Sequence, residues 1–579
     1  MKKTGAFLAV YALEQIGVKY TFGIPGVHNT ELYDELNNSE KIKPILVTHE
    51  GCGAFMADGV SRTSTSTIGA MVIVPAAGLT HAMSGIAEAK LDGIPMIVIS
   101  GGTRRDTGRA FQLHQIDQGR MMDGMIKKYY CVSKYEEIIP MIYEAYETAI
   151  SGEPGPVFVE IPAEFQLFAG EVNELMPYKA QKKKFSFDEN KIKQIVDLLT
   201  QAKNPGIFAG WGAVHATDEL IQLAEKIVAP VSTTVQGLSS FPANNILHTG
   251  VGFGPASVPA SQNAFANCDC LLGIGTRFGE LATGSFGVKT PENLIHIDIN
   301  PDVFDKNYKT KVSLEGDSKQ ALQAILKELE NRKWNSSRNS NAIGSAIQKD
   351  KKDYFSTWTK EKKKDVVSPG YFFKSLRTQV DQDALLVVDD GQHTFLAAEL
   401  FPVSQSRGFI SPTDFNCMGY CAPAAIGAKL ANPDKMVAAI IGDGAFLMTG
   451  MEVLTAVTQK LGIMFFIFHD GELGQISQFQ ETPLNRKTCT VLGDYKVEGF
   501  ALATGAEFLA MQHDDEIDSV IKKAIGFSKA NKPVIIDVNI DYSQKTFMTK
   551  GVLKVNLQRF PLKEKIRFIS RAIKRHVLG

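Results

Sequence analysis

Two acidic residues stand just past the ends of two apolar runs, and their spacing suits a phosphate-bearing ligand held through a hard metal ion. Met436–Ile441 runs into Gly442-Asp443-Gly444, and Ile463–Phe468 runs into His469-Asp470-Gly471-Glu472. A helix over roughly 450–459 is expected between them, so the pair reads as one strand–helix–strand unit with an acid after each strand. Gly442 and Gly444 allow close backbone approach to an anion, and a helix start offers free amides. Asp443 and Asp470 are the hard oxygen donors that Mg²⁺ takes when it bridges a diphosphate. A third acid, Glu50, ends the apolar stretch Ile45–Val47 and opens a run of small residues. A buried carboxyl at such a place suits proton exchange.

These residues need a scaffold that presents strand ends. Short apolar β-branched runs alternate with helical stretches along the whole chain: Ala70–Val74, Met96–Ser100 and Val157–Ile161; then Gly206–Ala209, Leu271–Ile274 and Leu294–Ile297; then Leu385–Val388, Met436–Ile441, Ile463–Phe468 and Val534–Val538. Continuous apolar strands separated by helices imply parallel sheets covered on both faces, with ligands at the carboxyl ends of the strands. The expected fold class is α/β, with three doubly wound parallel-sheet domains over 1–170, 190–335 and 366–545. A basic amphipathic tail follows over 546–579. Residues 171–190, with the Lys182–Lys184 run, and residues 331–368, rich in Asn, Ser and Lys, read as solvated connectors.

With 579 residues the chain is long enough for several cores. A net charge of −1 gives no general drive toward nucleic acid. Seven cysteines, odd in number and irregularly spaced, do not form a disulfide framework, and Cys268 and Cys270 read as core thiols. No apolar stretch is long enough to span a membrane, and Glu14 interrupts the early apolar run before any leader pattern develops. A cytoplasmic location is expected.

Gly-Asp-Gly followed about two dozen residues later by an Asn pair is the signature of thiamine-diphosphate enzymes, and Gly442–Gly444 with His469-Asp470 resembles it, with His469 in place of the first Asn. Residues 415–429 resemble the acetolactate-synthase stretch that carries a Met wedge under the cofactor, and His49-Glu50 through Arg62 resembles that family's His-Glu segment. The resemblance covers nearly the whole chain. It names the three domains pyrimidine-binding, central and diphosphate-binding. It implies thiamine diphosphate and Mg²⁺, the metal held by side-chain oxygens of Asp443 and Asp470 and the backbone carbonyl of Glu472. Met418 falls in the wedge position, and the Asn416 carbonyl is implied to accept from the cofactor's amino group, although Asn416 replaces the family's Gly. Further cofactor contacts are implied for Pro25, Gly26, Gly78, Gln392, His393, Gly442, Gly444, Ala445, Leu473, Gly474, Gln475 and Ile476. Glu50 would hydrogen-bond a pyrimidine nitrogen and favour the imino form that deprotonates the thiazolium carbon.

The departures cluster on the substrate side. His28 and His114 stand where acetolactate synthases carry small residues, near the matching Phe111-Gln112. Pro75-Ala76-Ala77-Gly78 replaces Ser-Gly-Pro-Gly, Gln475 replaces a Met, and Phe479 replaces a Trp. His28, Gln112 and His114 are therefore expected at the substrate, as proton carriers in the case of the histidines. The implied reaction is decarboxylation of a 2-oxo acid with carboligation to a carbonyl acceptor. The alternatives are a 2-oxo acid decarboxylase, a 2-hydroxyacyl-CoA lyase or synthase, and a non-catalytic thiamine-diphosphate-binding homologue. In the family Glu50 and Asp443 come from different subunits, which implies a homodimer or a dimer of dimers. Arg277 fits a flavin site, but residues 249–256 lack the usual flavin-side pattern, so FAD is not expected. The helix over 560–579 is expected to pack on its own domain, with an anionic membrane or acidic partner as the alternative.

Overall fold

The computed structural model describes residues 1–180 and 184–578; Lys182 and Lys183 of the lysine run lie outside the described residues. Each apolar run becomes a strand of one of three six-stranded parallel sheets. The first is ordered Lys43–Leu46, Tyr20–Gly23, Gly69–Ile73, Met96–Gly102, Pro156–Pro162, Tyr129–Cys131. The second is ordered His248–Val251, Val231–Thr233, Pro205–Ala209, Cys270–Ile274, Asn293–Asp298, Val312–Glu315. The third is ordered Phe409–Ile410, Leu385–Val388, Val437–Gly442, Ile463–His469, Val534–Asn539, Glu507–Met511.

In all three the chain winds outward in opposite directions from two adjacent central strands, leaving a crevice beyond their carboxyl ends. In the first sheet that crevice is framed by the loops after Gly23 and after Ile73. In the third it is framed by Asp389-Asp390 and by Gly442-Asp443. The residues singled out by spacing thus come together because doubly wound topology delivers them there.

The first and third domains lock together through two helices, Glu50–Thr63 and Cys421–Ala431. A methyl group at Gly59 would lie 2.3 Å from the Ala424 carbonyl oxygen, and one at Gly427 would lie 2.0 Å from that of Met56, so only glycine permits this approach. Beneath them the fully buried Arg62 pairs with Asp58 at 2.6 Å and Asp92 at 2.9 Å, and the Tyr420 hydroxyl donates to Asp58 at 2.6 Å. Asp92 in turn accepts from the amide of Asp414 at 2.9 Å. Removing one member would strand a buried charge, a loss of about 3–5 kcal/mol.

Three expectations need correction. Residues 331–368 are more than a solvated connector: they contain the helix Ser340–Ser356, which buries Gly344 and Ile347 against the central domain. The helix between the two acids begins at Asp443 itself rather than near 450, because Gly442 caps it directly and a tight turn at Gly450–Glu452 joins it to Val453–Thr458. The tail helix Leu562–Leu578 lies on its own domain against Gly474–Leu484, but its apolar stripe of Leu562, Ile566, Ile569 and Ile573 stays exposed. Among the described residues no helix is long and apolar enough to cross a membrane. All seven cysteines are free.

Candidate active site

A cavity of about 140 Å³ lies at the carboxyl edge of the third sheet. Every cofactor residue expected from the C-terminal part of the sequence lines it: Gln392, His393, Asn416, Met418, Gly442–Ala445, Asp470 and Leu473–Ile476, with Glu472 alongside. Asp443 opens its helix and is held rigidly. Its Oδ1 accepts from the Gly444 amide at 2.7 Å, and its Oδ2 accepts from the Gly471 amide at 2.7 Å. Burial pushes the carboxyl of Asp443 up, and burial reinforced by Asp443 pushes Asp470 up to about 7. Two such carboxylates side by side favour a divalent cation. The Glu472 side chain is taken by Lys487 at 2.7 Å, and the neighbouring ladder uses the Gly471 carbonyl and the Leu473 amide, which leaves the Glu472 carbonyl for a ligand.

The cavity also holds buried polar atoms without partners. The Nε2 atoms of Gln392 and His393, in the first turn of the helix Gln392–Leu400, are buried and unbonded, as is Oε1 of Gln475. Burial holds the His393 imidazole neutral, its pKa lowered to about 3. Unpaired buried polar atoms at a helix start, lining one cavity with two carboxylates, fit a diphosphate bound with Mg²⁺. A methyl group at Gly474 would lie 2.5 Å from Asp470 Oδ2, so glycine keeps that acid accessible.

Two substitutions that set this chain apart have a local explanation. Asn416 sits at φ +66°, a left-handed conformation that Asn tolerates better than other residues with a side chain. His469 is anchored by Asp537 of the adjacent strand, Nδ1 to Oδ1 3.0 Å, and its Nε2 lies 3.9 Å from Asp443. Sequence reasoning missed Asp389. Its two oxygens accept from the amides of Gly419 at 2.9 Å and Cys421 at 2.8 Å, clamping the loop that carries Met418. Its position directly after the run Leu385–Val388 was the available signal. Tyr542 also lines the cavity unforeseen, and nothing in its sequence surroundings marked it.

The first domain holds a second cluster. Glu50 is 5% exposed at the start of its helix, with Oε2 3.0 Å from Nδ1 of His81, and His81 stacks on His49 at 4.7 Å. His81 was not foreseen, although it lies one helical turn after Gly78. Methyl groups built at Gly26 and Gly78 would both strike Val74, at 2.7 and 2.9 Å, which joins Pro25-Gly26 to the Glu50 neighbourhood. His28 and His114 meet with Nδ1 atoms 3.3 Å apart, and burial followed by His114 lowers the pKa of His28. Gln112 braces its own loop, donating to the carbonyls of Arg104 at 2.6 Å and Arg109 at 3.0 Å. Phe111 beside it is 99% exposed. Within one chain the cavity of Asp443 takes no lining residue from the first domain, so Glu50, His28 and His114 stand apart from it.

The chain matches three family domains in order: the N-terminal TPP binding domain of thiamine pyrophosphate enzymes over residues 3–121, their central domain over 192–325, and their C-terminal TPP binding domain over 389–538. It belongs to the thiamine-pyrophosphate enzyme family and is an enzyme dependent on that cofactor. Within the family it is acetolactate-synthase-like. It is 29% identical to the acetolactate synthase large subunit of Haemophilus influenzae, over 94% of this chain and 96% of that one. It is 30% identical to the large subunit of Corynebacterium glutamicum (93% and 86%) and 32% identical to the chloroplastic acetolactate synthase of Arabidopsis thaliana (85% and 74%).

Proposed function

We propose that the protein decarboxylates a 2-oxo acid and joins the remaining unit to a second carbonyl compound, in a centre assembled from two copies of the chain. The observation that carries this is the split machinery: an acid–imidazole pair at Glu50 and His81 on one domain, and a two-carboxylate cavity with unpaired polar atoms on another. Bound thiamine diphosphate supplies a carbon nucleophile and an electron sink for the departing carbon dioxide. Gln392 and His393 bind the diphosphate, and Asp443, Asp470 and the Glu472 carbonyl hold Mg²⁺. Met418 and the Asn416 carbonyl orient the rings, while Gly444, Ala445, Leu473, Gly474 and Ile476 form the close walls. Glu50, one oxygen fixed by His81, would keep its other oxygen free to carry a proton for the pyrimidine of the bound cofactor. His28, neutral because its pKa is lowered, accepts or returns a proton at the substrate with His114.

A second copy would bring Glu50 to the partner's cavity and cover the loop of Phe111. The central domain is read as flavin-free. The crevice at its switch point, shared with the flanking domains, is lined by Glu153, Asp298 and Asp414, and the Arg277 guanidinium is held between Glu153 at 3.3 Å and Asp414 at 2.5 Å. That acidic crevice, with its cation already paired, disfavours a flavin diphosphate. The cytoplasm suits the seven free thiols. The exposed stripe of the tail leaves a contact with anionic membrane open, and co-sedimentation with anionic liposomes with and without residues 560–579 tests it: equal behaviour of the two forms rules it out.

The test of function is incubation with thiamine diphosphate, Mg²⁺ and a panel of 2-oxo acids, alone and paired with carbonyl acceptors, with products read by mass spectrometry. Carbon dioxide with a 2-hydroxy carbonyl product supports the proposal. Carbon dioxide with an aldehyde alone makes the protein a simple decarboxylase. No turnover with cofactor bound points to acyl-CoA substrates, and failure on those as well to a non-catalytic binder.

A further inference from the structure

Away from the reaction centre a cavity of about 580 Å³ opens between the central and C-terminal domains. One wall is the helix Ser340–Ser356. The others are the edge strand His248–Val251 and the end of Gln392–Leu400 with the segment after it. The lining is mainly apolar, with Leu238, Val251, Val258, Phe355 and Phe401 contributing.

Its polar pole is a lysine–histidine pair. Nζ of Lys351 lies 2.8 Å from Nδ1 of His248 and 3.4 Å from the Ala243 carbonyl oxygen. An ammonium only donates, so Nδ1 is the acceptor and the imidazole proton resides on Nε2. His248 is 5% exposed, and its Nε2 is buried with no hydrogen-bond partner. Burial alone, with no carboxylate contributing, lowers the pKa of Lys351 to about 8. The acid in the lining, Glu399, is already used: it accepts from the amides of Met548 at 2.8 Å and Phe547 at 3.2 Å and from the Tyr354 hydroxyl. Lys352 and Lys374 add positive charge. The chamber therefore offers cations at one pole, with the carboxylate of its lining, Glu399, already hydrogen-bonded, and is apolar elsewhere.

We propose that this cavity binds a medium-chain monocarboxylate, whose carboxylate accepts from Lys351, held in place by Nδ1 of His248, while its chain fills the apolar part. The cavity shares no lining residue with that of Asp443, which separates this site from the reaction centre, and its volume admits a chain of about ten carbons.

The test is calorimetric titration of the full-length protein with decanoate, with 1-decanol as the uncharged control. One saturable site per chain is expected for decanoate and none of comparable affinity for the alcohol. Lys351→Met, which keeps the stem, and His248→Phe, which keeps the stacking on Phe241, should each weaken binding at least about tenfold. Trace acetylation of the wild-type protein read by peptide mass spectrometry covers the case in which a variant does not fold: decanoate should slow labelling of Lys351 selectively over the distant Lys487. Absent binding, equal binding of alcohol and acid, unchanged affinity in the folded Lys351→Met protein, or unaltered labelling of Lys351 would each overturn the proposal.

Discussion

The Nδ1 of His81 lies 3.0 Å from Oε2 of Glu50, while the other carboxylate oxygen of Glu50 looks toward Gly78, where an added methyl would stand 3.1 Å from Oε1. One oxygen is tied by the protein and the other is kept clear by a missing side chain. That division suits an acid that must exchange a proton with a bound ring.

Glu50→Gln is expected to lower kcat by about 10²–10⁴-fold, the usual worth of a positioned acid–base group, with the affinity for thiamine diphosphate little changed. His81→Ala should lower kcat less, by about tenfold, and should shift the pH profile of kcat, because His81 acts through Glu50. Steady-state kinetics over pH with cofactor titration by fluorescence checks both.

The strands were legible because buried parallel strands are written as unbroken apolar runs, and Asp443 and Asp470 were legible because each directly follows one. Glu50 was readable from its place before a run of small residues. The Glu50–His81 contact was hidden because it is tertiary: the two belong to different helices, and only the helical step from Gly78 to His81 hinted at it. The helix Ser340–Ser356 escaped because its face is mostly polar, with Gly344 and Ile347 its only buried residues. Polar composition suggested solvent where the chain in fact spans two domains.

At Asn416 the left-handed backbone sets a clear order. Asn416→Gly should leave stability and cofactor affinity close to wild type, while Asn416→Val should cost about 1–2 kcal/mol and weaken cofactor binding through the Met418 loop. Thermal denaturation with and without thiamine diphosphate checks it.

Gly427→Ala places its methyl 2.0 Å from the Met56 carbonyl oxygen, in a helix pair that cannot separate without exposing the buried Arg62 network. A loss of more than about 2 kcal/mol is expected despite the better helix propensity of alanine. Urea denaturation measures it.

His296 is buried with its Nε2 2.8 Å from the Thr276 carbonyl oxygen, and burial lowers its pKa from 6.5 to about 4. The unfolded chain takes up this proton as pH falls below about 6.5 and the folded chain does not, so stability present at neutral pH is lost between about 6.5 and 4, amounting to roughly 3 kcal/mol. His296→Gln should flatten the stability profile across that window. Denaturation curves at a series of pH values compare the two proteins.

In the proposed arrangement one copy's Glu50 serves the other copy's Asp443–Asp470 cavity, and mixed dimers test it most directly. Glu50→Gln and Asp443→Asn proteins, each nearly inactive alone, are unfolded together, refolded as a mixture and assayed for carbon dioxide release from the preferred 2-oxo acid. If the site is shared, mixed dimers pair one intact Glu50 with one intact cavity, and about a quarter of wild-type activity returns. If the mixture stays as inactive as its components while wild type treated alike recovers, each site is built within a single chain and the account is wrong.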